Sequence, residues 1–131
     1  MKLETPSLLI TDDDRDFRET LSGIFQDRGF RTIQAGDGEE ALDVIRREPV
    51  HLLLLDMHMP RLTGLETIRQ LRRLHLDLPC ILISAALDQQ IEAEARAAQA
   101  YSVLAKPFRL PDITSIVARA MQQVYRWPPQ G

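Results

Sequence analysis

The chain has 131 residues, 44% apolar and 27% charged, with a net formal charge of −3, the balance of one soluble globular domain large enough to bury roughly 65–70% of its unfolded surface. Mild acidity exerts no general pull on nucleic acid and no basic stripe replaces one; the longest apolar run, residues 50–55, falls far short of the roughly 20 residues that a membrane span needs. The lone Cys80 can close neither an internal disulfide nor a zinc cage, and with no signal segment in view the expected location is the cytoplasm.

Five short apolar runs alternate with five amphipathic stretches, the pattern of strands joined by helices. The first run is SLLIT, Ser7–Thr11, continuously apolar as a strand covered on both faces should be. Behind it Phe17, Leu21, Ile24 and Phe25 recur at helical spacing. RTIQA, Arg31–Ala35, mixes polar and apolar residues like an edge strand and precedes Ala41, Leu42 and Ile45 on one helix face. HLLLLD, residues 51–56, is the third strand, with Leu65, Ile68 and Leu71 marking its helix. CILIS, Cys80–Ser84, is the fourth. Its helix, residues 88–100, is the weakest, because Ile91 is its only large aliphatic and alanines fill the rest. SVLA, Ser102–Ala105, is the fifth. The helix after it carries the broadest stripe, Ile113, Ile116, Val117, Ala120, Met121 and Val124, with Pro111 near the start where its missing N–H costs nothing. Past Tyr125 the residues RWPPQG have no periodicity and read as an extended tail or the start of a linker. Five βα units with right-handed crossovers build an open, doubly wound α/β sheet, which binds its ligand at the carboxyl ends of the strands.

Those ends are chemically dense. Asp12, Asp13 and Asp14 follow the first strand, and the third closes on Asp56. An aspartate caps a helix start well and suits its positive dipole end, which accounts for one or two of the three. Consecutive carboxylates repel one another, and Asp56 adds a fourth if the first and third strands are neighbours. A cation relieves that repulsion, and hard oxygen ligands point to Mg²⁺. Spacing alone leaves the cap and the metal site both open. Ser84 ends the fourth strand and Lys106-Pro107 follow the fifth, so a hydroxyl and an ammonium reach the same rim. A compact cation beside a carboxylate makes sense if the carboxylate becomes phosphorylated, since lysine then pairs with the dianion. Of 16 basic residues only Lys2 and Lys106 are lysine, so this lysine stands out against a background of arginine.

In order and spacing, LLITDDD, LLLLDMHMPRLTG, ILISA and LAKPF resemble the receiver domains of two-component response regulators, the CheY-like group, over about residues 6–125. The most specific pieces are the run from Asp56 through Met59-Pro60 to Gly64 and the Lys106-Pro107 pair. The resemblance implies a (βα)5 sheet in the flavodoxin-like order 2-1-3-4-5, a receiver over 6–125 and a flexible tail or linker stub over 126–131. It implies that Asp56 is the phosphoacceptor and that Asp13 and Asp56 bind Mg²⁺ directly, with Mn²⁺ able to substitute. Asp12 would act in the metal shell through water, and the His58 backbone carbonyl would be another ligand. Ser84 and Lys106 would contact the phosphoryl oxygens, and a cis bond before Pro107 would aim Lys106 into the site. The implied partners are a sensor histidine kinase or phosphotransfer protein, meeting the domain near its first helix, and a downstream protein target or output domain. Direct binding of nucleic acid or membrane is not expected, and the chain is expected to be a monomer or weak dimer. It would be no enzyme beyond its own phosphotransfer and autodephosphorylation. Phosphoryl transfer needs mainly positioning and charge stabilisation, so a carboxylate, one divalent ion and one lysine suffice. Ser84 is expected to turn toward the phosphoryl group and loosen the face made by the fourth helix, fifth strand and fifth helix, a population shift.

The chain departs from the family pattern at Val103, three positions before Lys106, where a Tyr or Phe usually rotates. Tyr101 would share the face of Val103 if the strand extends that far. The expectation is that Tyr101 partly substitutes, or that switching rests on Ser84 and the alanine-rich helix. His58 and Ala86, two residues past Asp56 and Ser84, occupy positions that tune phosphoryl lifetime in this family; His51 and His75 read as ordinary surface or strand-edge residues. Residues 36–41, GDGEEA, fit a dinucleotide fingerprint, but Asp37, Glu39 and Glu40 crowd the helix start where a pyrophosphate would sit. A dehalogenase-type phosphatase needs a second Asp where His58 stands. The remaining alternative is an interaction module that keeps the fold without being phosphorylated, and against it weighs the presence of Asp12, Asp13, Asp56, Ser84 and Lys106 together. With receiver elements filling 6–125, output is expected to pass through another protein or a domain outside this chain.

Overall fold

The computed structural model describes residues 4–129. Strands and helices alternate as β1 (Ser7–Thr11), α1 (Arg15–Gln26), β2 (Arg31–Ala35), α2 (Gly38–Arg47), β3 (Leu52–Asp56), α3 (Gly64–Arg73), β4 (Cys80–Ser84), α4 (Gln89–Ala97), β5 (Ser102–Ala105) and α5 (Leu110–Tyr125). Every pairing is parallel and the sheet order is β2-β1-β3-β4-β5, as expected. The three central strands are buried at every residue, whereas β2 and β5 form the partly exposed edges.

Strand side chains alternate between faces, and the chain uses both. Leu9, Leu53, Leu55, Cys80 and Leu82 face α2, α3 and α4, meeting Ala41, Leu42, Val44, Leu65, Ile68, Leu71 and Ala95. Leu8, Ile10, Leu52, Leu54, Ile81 and Ile83 face α1 and α5, meeting Leu21, Phe25, Ile113, Val117, Ala120 and Met121. Truncating any of these buried leucines to alanine costs about 2–5 kcal/mol, so the strands form a stiff floor beneath the loops at their carboxyl ends.

Helix starts resolve one alternative the sequence leaves open. Asp14, Asp37 and Asp88 accept the amides of Phe17, Glu40 and Ile91, and Thr63 and Glu66 form a reciprocal capping box. Of the three consecutive aspartates, then, Asp14 is the cap, and Asp12 and Asp13 remain for other uses.

Two boundaries differ from expectation. α4 stops at Ala97 because Gln99 turns into the left-handed region at φ 64°; Ala95 is its one buried residue. β3 begins at Leu52 because His51 is engaged otherwise: its N–H donates to Ser7 O and its Nδ1 accepts the Ser7 N–H, each at 2.9 Å. Tyr125 Oη donates to the His51 carbonyl at 2.6 Å, so of the two expected readings His51 fits the strand-edge one and joins β1, β3 and α5. α5 ends at Tyr125, where periodicity is expected to stop, and the segment after it makes contacts of its own. Trp127 packs on Phe30 with ring centroids 4.9 Å apart, lies against Gly29, and donates its indole N–H to Glu4 O at 3.3 Å. A large ring next to an apolar face is better buried than solvated. Of the expected stub, Gln130 and Gly131 lie outside the described residues.

Candidate functional site

The acidic rim forms where β1, β3, β4 and β5 end side by side. Asp12 and Asp13 leave β1, Asp56 closes its neighbour β3, Ser84 closes β4, and Lys106 follows β5. Continued ladder bonds hold these ends together: Met57 N–H donates to Ile83 O at 2.7 Å, and Lys106 N–H to Ser84 O at 2.9 Å. Gly64 permits the approach of α3, since a Cβ there would stand 2.5 Å from the Asp56 carbonyl oxygen and 2.6 Å from Leu82 Cδ1.

Lys106 reaches from the sheet edge back across to β1. Its Nζ lies 3.2 Å from Asp12 Oδ2 and 3.2 Å from Asp56 Oδ1, and 4.5 Å from the centre of the Phe17 ring. Phe108 packs edge-on to Phe17 at 6.0 Å between centroids and so supports the ring that lies against the ammonium. The second oxygen of each carboxylate is also engaged. Asp12 Oδ1 accepts the Asp14 N–H at 2.9 Å, and Asp56 Oδ2 accepts the His58 N–H at 3.2 Å. The Lys106–Pro107 peptide bond is cis.

Asp12 and Asp56 are only 2% and 6% exposed, and burial pushes the Asp12 carboxyl above its ordinary value. Burial also pulls the Lys106 ammonium down, but the combined attraction of Asp12 and Asp56 outweighs it and leaves the lysine raised. Asp13 is exposed at the mouth, and one carboxylate oxygen from each of Asp12, Asp13 and Asp56 can be chosen so that all lie within 4.8 Å of one another. Three carboxylates facing one ammonium remain under-compensated, and an all-oxygen donor set of this size suits a hard divalent cation.

Ser84 is buried and its Oγ accepts the Ala86 N–H at 3.2 Å; among the described residues its hydroxyl makes no hydrogen bond to the side chain of Asp56 or of Lys106. The His58 side chain is exposed, and its backbone amide is the part that touches Asp56. Val103 packs toward α4, whereas Tyr101 lies outside β5, packs with the α5 side and donates its hydroxyl to Gln123 Oε1 at 2.5 Å. The expectation that the two share a face therefore fails, because β5 begins only at Ser102 and the chain turns before it. Tyr101 loses the geometric ground for standing in at position 103. Sequence reasoning misses Phe17 and Phe108 as site residues; the helical spacing of Phe17 marks it only as helix core. Together with Ala85, Lys106 and Pro107, the two phenylalanines line an open cleft of about 530 Å³ leading to the ammonium.

Comparison with known proteins agrees with this arrangement. Residues 8–118 match the response regulator receiver domain, and the chain belongs to that family: a receiver domain of two-component response regulators with an acidic pocket at its strand ends. It is 40% identical over 106 residues to response regulator MprA of Mycobacterium tuberculosis, an alignment covering 81% of this chain and 46% of MprA. It is 29% identical to response regulator RR06 of Streptococcus pneumoniae, covering 91% and 54% respectively. The chain thus spans about half the length of these curated relatives. Among solved structures, the receiver domain of Francisella response regulator 1452 superposes with TM-score 0.85 at 27% identity, covering 90% of this chain and 98% of that one. Response regulator TrrA of Thermotoga maritima, solved in complex with Mg²⁺-BeF, does so with TM-score 0.79 at 28% identity, covering 88% and 98%. The receiver domain family is a phosphoacceptor switch, and receiver domains interact with histidine kinases and downstream effectors. Among the described residues no helix is long and apolar enough to cross a membrane.

Proposed function

We propose that Asp56 accepts a phosphoryl group from the phosphohistidine of a sensor kinase or phosphotransfer protein in a Mg²⁺-dependent reaction, with Mn²⁺ able to replace Mg²⁺. The observation that carries this reading is the Lys106 ammonium bridging Asp12 and Asp56 at 3.2 Å each. A buried carboxylate pinned on one oxygen by an ammonium and on the other by a backbone amide is a nucleophile held in one orientation. An Asp56 oxygen attacks phosphorus, the P–N bond breaks, and the imidazole nitrogen leaves with the electron pair. Lys106 then pairs with the new phosphoryl oxygens and so releases Asp12 from its ion pair. The carboxylates of Asp12, Asp13 and Asp56, with the His58 carbonyl, would hold the divalent ion, which supplies neutralisation of the charge on the transferring group. The Mg²⁺-BeF complex of TrrA supports that choice of ion. Water later attacks the same phosphorus and returns Asp56 and inorganic phosphate.

Ser84 starts this cycle with its Oγ accepting the Ala86 N–H, which leaves its own O–H free to donate to a phosphoryl oxygen and ties that contact to the β4–α4 connection. α4 resists little, and the α4, β5 and α5 face is the surface we assign to the downstream protein or output domain. The setting is cytoplasmic, the chain is a monomer or weak dimer, and residues 6–125 are the receiver unit. The test is intact mass after incubation with Mg²⁺ and acetyl phosphate or a phosphorylated kinase. The expected result is a gain of one phosphoryl group that is absent in Asp56→Asn and in EDTA; no gain from either donor would reduce the chain to an unphosphorylated interaction module.

A further inference from the structure

We propose that Arg18 is a positioning residue for the acidic site, fixing the peptide plane between Asp12 and Asp13 and through it the Asp13 carboxylate. The inference rests on the reading that Asp12, Asp13 and Asp56 hold a divalent cation. Arg18 lies in the first turn of α1, and its Nη1 donates to the Asp12 carbonyl oxygen at 2.5 Å while its Nε donates to Gln34 Oε1 at 3.2 Å. One side chain therefore ties the end of β1 to the end of β2. The Asp12 amide adds a backbone tie to Ala35 O at 3.1 Å.

The carbonyl of Asp12 and the amide of Asp13 belong to one rigid planar unit. Anchoring that oxygen sets the direction in which the Asp13 Cα and side chain depart. Asp13 has need of such an anchor. Asp12 is held by the Asp14 amide and Lys106, and Asp56 by the His58 amide and Lys106. The Asp13 carboxylate is exposed and, among the described residues, has no hydrogen bond or ion pair of its own. A guanidinium suits the task, because its rigid fork serves two oxygens on adjacent strands at once, which a single ammonium on a flexible stem does not hold in fixed geometry.

Charge and geometry make opposite forecasts for a bound cation. Removing a nearby positive charge strengthens cation binding, whereas releasing the anchored peptide weakens it. Calorimetric Mg²⁺ titration and backbone NMR of the full chain distinguish them. Arg18→Gln is expected to lower Mg²⁺ affinity about 10-fold, the lower end for losing a group that orients a ligand, and to shift the Asp13 amide resonance in the metal-free protein. Arg18→Lys restores the charge but not the fork, so it should recover less than half of that loss on a logarithmic scale. Gln34→Ala, which loosens Arg18 without changing charge, should give a smaller loss and keeps the test open if Arg18→Gln fails to fold. Tighter Mg²⁺ binding by Arg18→Gln, full recovery by Arg18→Lys, or an unmoved Asp13 amide would overturn the proposal. A wild-type chain that binds no Mg²⁺ would defeat the metal reading instead, and the metal-free Asp13 resonance would still decide the positioning claim.

Discussion

Lys106→Met removes the ammonium that separates two buried carboxylates while keeping much of its aliphatic volume. At an effective dielectric of about 20, each 3.2 Å contact represents about 5 kcal/mol of gross attraction. The carboxylate oxygens of Asp12 and Asp56, within 4.8 Å of each other, repel by about 3.5 kcal/mol on the same scale. Desolvation takes back most of the attraction, and the lysine side chain is 27% exposed, so the net loss falls at the low end for breaking a buried pair, about 3 kcal/mol. In EDTA at pH 7.5 the urea midpoint should fall by about 1–2 M. Acid should narrow the gap. Because burial raises the Asp12 pKa, the folded state binds that proton more tightly than the unfolded chain does, and the repulsive penalty is lost as pH falls through the raised value. Losing the lysine raises Asp12 further, so the variant gains more from acidification than the wild type. Mg²⁺ should also stabilise the variant more, since no ammonium competes for the carboxylates. Equal midpoints in EDTA, or a gap that stays constant between pH 7.5 and 4, would show Lys106 to be a solvated charge with no electrostatic part in the site.

Gly64→Ala places a Cβ 2.5 Å from a backbone oxygen of Asp56, and backbone cannot swing aside as a side chain can; a loss of about 1–3 kcal/mol in urea unfolding is expected, with slower phosphorylation because Asp56 itself is displaced, and unchanged stability would mean that the loop yields freely. Trp127→Ala removes the ring that covers Phe30 and Gly29 together with an indole hydrogen bond; thermal unfolding should show a loss of about 1–2 kcal/mol without any change in Mg²⁺ affinity, and no loss would return the segment to a free tail. Burial lowers the pKa of His51, so by NMR its imidazole should titrate below the ordinary value, carrying the Ser7 amide with it. Between those two values the unfolded chain takes a proton that the folded one refuses, so stability falls as pH drops through that window; a midpoint at or above the ordinary imidazole value would refute the burial argument.

Much of the fold is legible in the residues because parallel strands covered on both faces must be continuously apolar, and SLLIT, LLLLD and CILIS are. The site is legible for a related reason: strand ends are where loops carry chemistry, so Asp12, Asp13, Asp56, Ser84 and Lys106 stand out as the polar residues at or just beyond the ends of apolar runs. The unforeseen parts depend on contacts distant in sequence or on local turns. Arg18 is one of many arginines until Gln34 and the Asp12 carbonyl are known to lie beside it. His51 gains its role from Ser7, 44 residues away. Trp127 lacks periodic neighbours, so nothing in its own segment shows that Phe30 awaits it. Tyr101 is misdirected by strand parity because the strand begins one residue after it. Arg72 is similar: its guanidinium bonds the carbonyls of Leu76, Leu78 and Gln99, stapling the α3–β4 connection to the turn after α4.

The thin attachment of α4 bears on how quickly and how cheaply this domain can respond. Methyl groups at Ala95 and Ala98, with a half-buried Ile91, are what tie the helix to the sheet, whereas α5 alone buries Ile113, Val117, Ala120 and Met121. A contact built from single methyls separates for about 1–2 kcal/mol, while a leucine-lined strand beneath it stays put. Amide exchange should therefore open α4 well before the strands, as a local unit with its own free energy. The domain combines a compliant lever with a rigid frame, and side-chain size along one helix sets where the frame ends and the lever begins.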